Sequence, residues 1–294
     1  MSIRTVAVLS PGDMGHAVGR VLRENGLRVI TCLDGRSDRT RELAHCAGIG
    51  DVPSLEDLVD QSDLILSVVP PSEAIRLAQQ VAEALQTRRT NTYYADCNAI
   101  SPQTAKKIDT VISSAGGRFI NASIIGSPPG KGDPPRFYVS GPHANIMSEL
   151  NGKGIQVRHI GSEVGRASAI KMCYAALTKG SQALWIALLT AAESMDLTNE
   201  LRQELLESQS IVYKQMQKQV PGVPVKARRW VGEMEEIAST FAQVGLTPQF
   251  HEGASEIFRF VGQTSLAEET PENRDRSRTL EQTISVFASN LKKK

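Results

Sequence analysis

The chain has 294 residues, enough for two domains of ordinary size, and a formal net charge of +1. That balance gives no bulk electrostatic reason to expect nucleic acid or a membrane surface as a partner. Hydrophobic residues make up 40% and charged residues 22%, a composition that suits a globular protein and argues against disorder.

The longest apolar run, around Ala183 to Ala192, is too short to cross a bilayer, and no signal-peptide pattern precedes the first strand. A cytoplasmic protein is expected. Cys32, Cys46, Cys97 and Cys173 are scattered without a CxxC pair, so they read as reduced thiols and not as metal ligands or bridges. No metal site is expected. Lys292–Lys294 reads as a frayed, solvated end.

The pattern opens with a β-branched run at Thr5–Leu9, a turn at Ser10–Gly15, a helix over Met14–Asn25 and a second strand over Leu27–Leu33. This is the strand–turn–helix–strand order of a dinucleotide site. Against G-x-G-x-x-G, the turn Ser10-Pro11-Gly12-Asp13-Met14-Gly15 keeps the second and third glycines and puts Ser10 at the first. Gly12 would let the backbone approach a pyrophosphate, which the helix N-terminus stabilises, and Gly15 would permit close helix–strand packing.

The end of the second strand selects the nicotinamide cofactor. Asp34 lies near the usual place of the acid that binds a ribose 2′-hydroxyl. Arg36, Ser37, Arg39 and Thr40 form a compact set of cationic and hydroxyl donors that suits a 2′-phosphate. The expectation is NADP, with NAD as the alternative; the same residues also read as a solvated turn in which Ser37 or Asp38 caps the next helix.

A helix at Asp38–Ala47 follows, and then a helix start capped by Ser54. Leu64–Val69 is a continuous apolar run, as in a strand buried on both faces of a parallel sheet. Val69, Pro70 and Pro71 lie at its carboxyl end and are expected to border the cofactor. A helix is expected over Ser72–Gln86, and a strand over Thr92–Ala95 that ends in Asp96-Cys97-Asn98. Asn98 reads equally as a ligand contact or as part of a turn, and Ser101 reads as the cap before Pro102. Strands at Arg118–Ile125, Phe137–Ser140 and Gln156–Ile160 complete the α/β pattern, with a Gly/Pro-rich loop at Gly126–Gly132.

From Gly165 onward the pattern is helical: Arg166–Met195, Thr198–Gln219, Ala227–Val244, Pro248–Thr264 and Ser277–Leu291. The fold class is therefore α/β. A Rossmann doubly wound sheet spans residues 1–164, and an all-α region for substrate binding and dimerisation spans 165–294. Within the first long helix, Ser168, Lys171, Tyr174, Ala175 and Thr178 share one face. A lysine in so apolar a run must snorkel, be paired or line a cavity. The apolar stretch at Ala183–Ala192 suggests that this helix needs cover from a second copy of the chain, or from its own fold.

Four segments in order resemble the β-hydroxyacid dehydrogenase superfamily, which includes the 6-phosphogluconate and 3-hydroxyisobutyrate dehydrogenases. They are Ser10–Gly15, Asp96–Pro102, Phe119–Gly126 and Gly165 with Lys171 six residues on. Arg229–Ala238 and Phe250–Ala254 resemble a branch described only as phosphogluconate-dehydrogenase-like. The resemblance implies that Lys171 is the catalytic lysine of an NAD(P)-dependent enzyme interconverting a small polar alcohol or hydroxy acid and its carbonyl. A lysine desolvated in an apolar helix can exchange a proton with a developing alkoxide near neutral pH.

The chain departs from the family pattern at several positions. Ala175 stands where the family has an asparagine, leaving Tyr174 or Thr178 to supply a hydrogen bond. Asn98 and Ile125 replace family serines, with Gly126 retained after Ile125, and Glu233 falls about where carboxylate-binding members have a lysine. Arg229 and His251 are further substrate candidates, each with a plain structural alternative. Two other functions remain open: a non-catalytic NADP-binding association module, and an imine reductase, although related imine-reducing branches typically lack this lysine.

Overall fold

The computed structural model describes residues 2–90, 92–130 and 132–291. Lys131 in the Gly/Pro-rich loop and the terminal Lys292–Lys294 lie outside the described residues. The chain forms two compact units, Met1–Met172 and Cys173–Lys294.

The first unit is built on an eight-stranded sheet. Its strands are β1 (Thr5–Leu9), β2 (Arg28–Thr31), β3 (Gly50–Asp51), β4 (Leu64–Ser67), β5 (Tyr93–Asp96), β6 (Arg118–Ile125), β7 (Arg136–Ser140) and β8 (Gln156–His159). The spatial order is β3-β2-β1-β4-β5-β6-β7-β8. All neighbours are parallel except β6 and β7, which pair antiparallel with Asn121 opposite Ser140. The first six strands follow the doubly wound dinucleotide-binding order. The helices of this unit are α1 (Gly15–Glu24), α2 (Asp38–Cys46), α3 (Leu55–Gln61), α4 (Pro71–Arg88) and α5 (Pro102–Ser114).

Both faces of the sheet are buried, which explains the continuous apolar strands. Val6 and Val8 point into one core with Val18 and Leu22 of α1. Ala7 and Leu9 point into the other with Leu58, Leu77, Leu85 and Ile108 of α3, α4 and α5. Local signals set the helix starts. The hydroxyls of Ser37, Ser54 and Ser101 accept from the backbone N–H groups of Thr40, Asp57 and Thr104.

Helix α6 (Arg166–Ser194) starts in the first unit and continues into the second. Its first turn is held by β6 and β7. Asn121 Oδ1 accepts from the backbone N–H groups of Gly165 at 3.0 Å and Ser168 at 3.1 Å, and Asn121 Nδ2 donates to Ser168 Oγ at 2.9 Å. Ser140 Oγ donates to Asn121 Oδ1 and accepts from Ala167 N–H. Free N–H groups at a helix start need such partners once buried. Here the chain supplies them from two strands, and Gly165 takes the positive φ of 106° that the entry requires.

The second unit contains the rest of α6 with α7 (Thr198–Ser208), α8 (Ser210–Gln219), α9 (Pro224–Gln243), α10 (Gln249–Val261) and α11 (Leu280–Ser289). Trp230 of α9 meets Phe258 of α10 edge-on, with ring centroids 5.2 Å apart. A capping box between Thr279 and Gln282 starts α11.

The structure differs from the sequence expectation in three places. The helix expected over Thr198–Gln219 is two helices, broken at Gln209 with φ −136° and ψ 38°. The Ser208 hydroxyl donates back to the Glu204 carbonyl at 2.8 Å just before this break, a local bond that competes with regular helix. Strand β3 is only two residues long and carries no strand pattern of its own. Turns of 3-10 helix at Ala144–Leu150 lie between β7 and β8, where the sequence reading assigned no element.

Candidate functional site

The turn after β1 adopts the conformation that a dinucleotide site needs, despite its missing glycine. Ser10 has φ +58°, in the left-handed region that glycine enters freely and other residues enter at a cost of about 1–2 kcal/mol. Gly12 N–H then donates to the Ser10 carbonyl at 2.7 Å. A side chain at Gly15 would press its Cβ to 3.1 Å from the Ser10 carbonyl oxygen and 3.2 Å from Val8 Cγ1, so glycine is needed there for helix–strand packing. At Gly12 an added Cβ would meet only the Ser10 carbonyl, at 3.9 Å. The protein itself leaves the space above Gly12 open, as a backbone cradle for a pyrophosphate requires. Helix α1 starts at Met14–Gly15 with no side-chain cap and no acid in its first turn, so its dipole faces that space uncompensated. Pro11 and Asp13 complete the turn.

The end of β2 lies beside this turn. Arg39 at the start of α2 reaches Asp13, with Nη2 2.5 Å from Oδ1, and so ties the two segments together. Ser37 caps α2, and its hydroxyl also lies 3.1 Å from the Thr40 hydroxyl. Arg36 is half-buried, and its buried Nε has no hydrogen-bond partner. An orphaned guanidinium nitrogen beside a nucleotide cradle is a donor waiting for an anion. The residues present thus fit a nicotinamide dinucleotide: Gly12 and the α1 N-terminus are the groups that would hold a pyrophosphate, and Arg36 is a donor that would meet a further phosphate.

At the carboxyl ends of β4 and β5 the polar groups satisfy one another. Asn98 is buried; its Oδ1 accepts from Val69 N–H at 2.6 Å, and its Nδ2 donates to Asp96 Oδ2 at 2.9 Å and Ser67 Oγ at 3.1 Å. The Asn98 side chain therefore locks the β4 and β5 ends together and fixes the entry to Pro70 and Pro71, where α4 begins. Burial and the nearby Asp96 carboxylate hold the Cys97 thiol well above its usual pKa, so it is an inert core thiol.

Lys171 stands three residues beyond Ser168 on α6. Its Nζ donates to the Ile124 carbonyl at 2.6 Å, at the end of β6. The lysine thus neither snorkels freely nor sits in hydrocarbon; an ammonium on a half-buried stem is aimed at a backbone oxygen next to Ile125 and Gly126. Ile125 is buried, and exposed Gly126 takes φ +124°.

The remaining candidates lie in the second unit. Ala175 is buried, Tyr174 is exposed, and the Thr178 hydroxyl donates to the Tyr174 carbonyl of its own helix. Glu233 is buried and ion-paired with Lys179 of α6, while Arg229 Nε lies 3.5 Å from Glu233 Oε1. Lys179 and Lys226 flank the Trp230 ring at 5.7 and 5.6 Å. Glu233 on α9, about where carboxylate-binding family members have a lysine, is paired here with a lysine on α6. Removing either partner of such a buried pair would cost about 3–5 kcal/mol.

His251 is 5% exposed and packs edge-on against Phe241 and Phe250, with ring centroids 4.4 and 5.5 Å away. Its buried Nδ1 has no partner.

Two residues with clear structural roles had not been singled out from the sequence, Asn121 and Lys179. The signal for each was a polar residue inside an apolar segment, the same signal that drew attention to Lys171.

Comparison with known proteins fits this geometry. Residues 5–150 match the family described as the NAD binding domain of 6-phosphogluconate dehydrogenase, and residues 192–261 match a family described only as a domain of unknown function (DUF1932). The structure resembles that of a conserved protein of unknown function reported as similar to 3-hydroxyacid dehydrogenases. The two are 30% identical, with 87% of this chain and 96% of that one covered and a TM-score of 0.65. The 3-hydroxyisobutyrate dehydrogenase of Mycobacterium tuberculosis, solved with L-serine, shares the fold at 17% identity, with coverage of 98% and 99% and a TM-score of 0.67. The imine reductase of Myxococcus stipitatus, solved with NADP+, shares it at 17% identity, with coverage of 96% and 99% and a TM-score of 0.53.

Burial lowers the His251 pKa. The folded protein therefore holds this ring neutral to lower pH than the unfolded chain, which protonates it below its ordinary pKa of 6.5. Stability contributed by the neutral ring is complete above that pH and is lost as pH falls below it, at up to about 1.4 kcal/mol per pH unit. Urea melts at pH 7.5 and 5.5 should show a larger loss for the wild type than for His251→Phe; equal losses would contradict the burial argument.

Proposed function

We propose a function from one premise: the chain belongs to the β-hydroxyacid dehydrogenase and 6-phosphogluconate dehydrogenase-like superfamily, in a branch whose C-terminal domain has no assigned role. The first unit carries the NAD(P)-binding domain of that family. On this basis the protein is read as an oxidoreductase interconverting a small polar alcohol or hydroxy acid and its carbonyl compound.

The observation that carries the reading is the placement of Lys171 Nζ against the Ile124 carbonyl at the end of β6, in the unit that holds the nucleotide cradle. When bound, the nicotinamide would supply hydride to the substrate carbon as NADPH or accept it as NADP+. In the reducing direction Lys171 gives its proton to the oxygen as the carbonyl becomes an alcohol, and in the oxidising direction it takes that proton back. Its charged form also favours the developing alkoxide. The Ile124 carbonyl orients the ammonium, so that less side-chain freedom is lost when substrate arrives.

NADP is favoured over NAD by the orphaned Arg36 Nε and by the Ser37, Arg39 and Thr40 donors at the start of α2. Asp34 is exposed and contributes no opposing contact among the described residues. In the second unit, Glu233 is read as the residue that fixes Lys179 and Arg229, which leaves positive charge for a substrate anion.

A homodimer is also proposed. Tyr174, Leu177, Ser181, Leu184, Leu188 and Ala191 recur on α6 at alternating spacings of three and four, the seam of a helix that packs against another, and Met195 continues the spacing just past the helix end. Leu177 is 67% and Met195 60% exposed. Sedimentation at micromolar concentration should give a dimer that Leu177→Glu dissociates; a wild-type monomer would end this part of the reading.

The catalytic reading is tested with NADPH and NADH over a panel of aldehydes, ketones, semialdehydes and cyclic imines. NADPH should be oxidised faster with the carbonyl substrates. Lys171→Ala should lower kcat by about 100-fold or more, the scale of one acid–base group, while leaving NADPH affinity unchanged. Equal turnover by the variant would remove Lys171 from the chemistry. Turnover of imines alone would favour an imine reductase, and tight NADPH binding without any turnover would favour a non-catalytic module.

A further inference from the structure

Helix α2 carries, in its last turn and a half, three groups of metal-ligand chemistry on one exposed face: Glu42, His45 and Cys46. Glu42 stands one helical turn before both others, at i,i+3 from His45 and i,i+4 from Cys46. One ligand atom from each, a carboxylate oxygen, an imidazole nitrogen and a thiol sulfur, lie within 4.8 Å of one another. Cys46 Sγ already donates to Glu42 Oε1 at 3.1 Å. The cluster closes the C-terminal end of α2, where the helix dipole is negative and a cation is favoured. Arg23 Nε donates to the Ala47 carbonyl at 3.1 Å just past this end.

We propose that Glu42, His45 and Cys46 form a surface site for a divalent transition-metal ion, with Zn2+ as the natural occupant. The argument for zinc is the donor set. Sulfur, imidazole nitrogen and carboxylate oxygen together suit a borderline ion, whereas calcium and magnesium take oxygen alone. Three protein ligands and a water complete a tetrahedron. Rotation of three exposed side chains closes the set from its present spacing to bonding distances of about 2.0–2.3 Å.

On binding, the Zn–S bond forms and the thiol proton leaves to solvent, with no change of oxidation state. An ordinary cysteine thiol keeps its proton at neutral pH, and that proton is the one released to solvent when the metal binds. The absence of a CxxC pair gave no hint of the site, because only one of its ligands is a cysteine.

The test uses the full-length reduced protein with Co2+ and with Zn2+ as probes. Wild type should bind one Co2+ with a thiolate-to-cobalt charge-transfer band in the near ultraviolet. Cys46→Ser should abolish the band, and His45→Ala should weaken binding about tenfold or more. Cys173→Ser, which alters the other exposed thiol, should leave both unchanged. Zn2+ should protect Cys46 from iodoacetamide while Cys173 continues to react. The variants lie on an exposed helix face, and circular dichroism of each checks that it folds. No band in the wild type, or a band that survives Cys46→Ser, would overturn the site.

Discussion

One buried amide organises the first unit. Asn121, in the middle of β6, satisfies two backbone N–H groups and one hydroxyl at the start of α6, and Ser140 on the neighbouring strand supports it. Each of these groups would cost about 1–3 kcal/mol if buried without a partner. The consequence reaches beyond stability. Three residues further along β6 is the Ile124 carbonyl, and three residues beyond Ser168 on α6 is Lys171. Strand and helix are pinned at one point and brought together again at the next, so the lysine's position follows from the position of the amide.

The nucleotide end shows the same economy. Ser10 adopts a glycine-like φ so that Gly12 and Gly15 keep their places in the turn. Gly15 is required by the protein's own packing, while Gly12 is not, and that open space is the basis for reading Gly12 as a cofactor contact. Arg39 holds the α2 start against this turn through Asp13, and Arg36 carries a buried donor with no partner. Asn98 works differently. Its side chain bonds to Val69, Asp96 and Ser67, so it shapes the strand ends from within.

Much of this was readable from the amino-acid sequence because it rests on local rules. Continuous apolar runs marked the buried strands, and Ser37, Ser54 and Ser101 marked helix starts. The unread features depend on residues far apart in the chain. Asn121 caps a helix that begins 44 residues later, and Lys179 meets Glu233 54 residues later. No local pattern announces such pairs; each appears only as an odd polar residue in an apolar stretch. The split between α7 and α8 was hidden because the helical pattern continues across Gln209, while a single dihedral excursion breaks the chain direction there.

The account stands on hydride transfer at a site where Lys171 handles the proton. The most direct measurement follows the hydride itself. NADPH deuterated at the reactive face of nicotinamide C4 is incubated with the protein and the carbonyl panel, and the products are examined by mass spectrometry. The account predicts deuterium on the former carbonyl carbon of at least one alcohol product, with none when unlabelled NADPH is used. Bound NADPH that keeps its label in the presence of every substrate would contradict it.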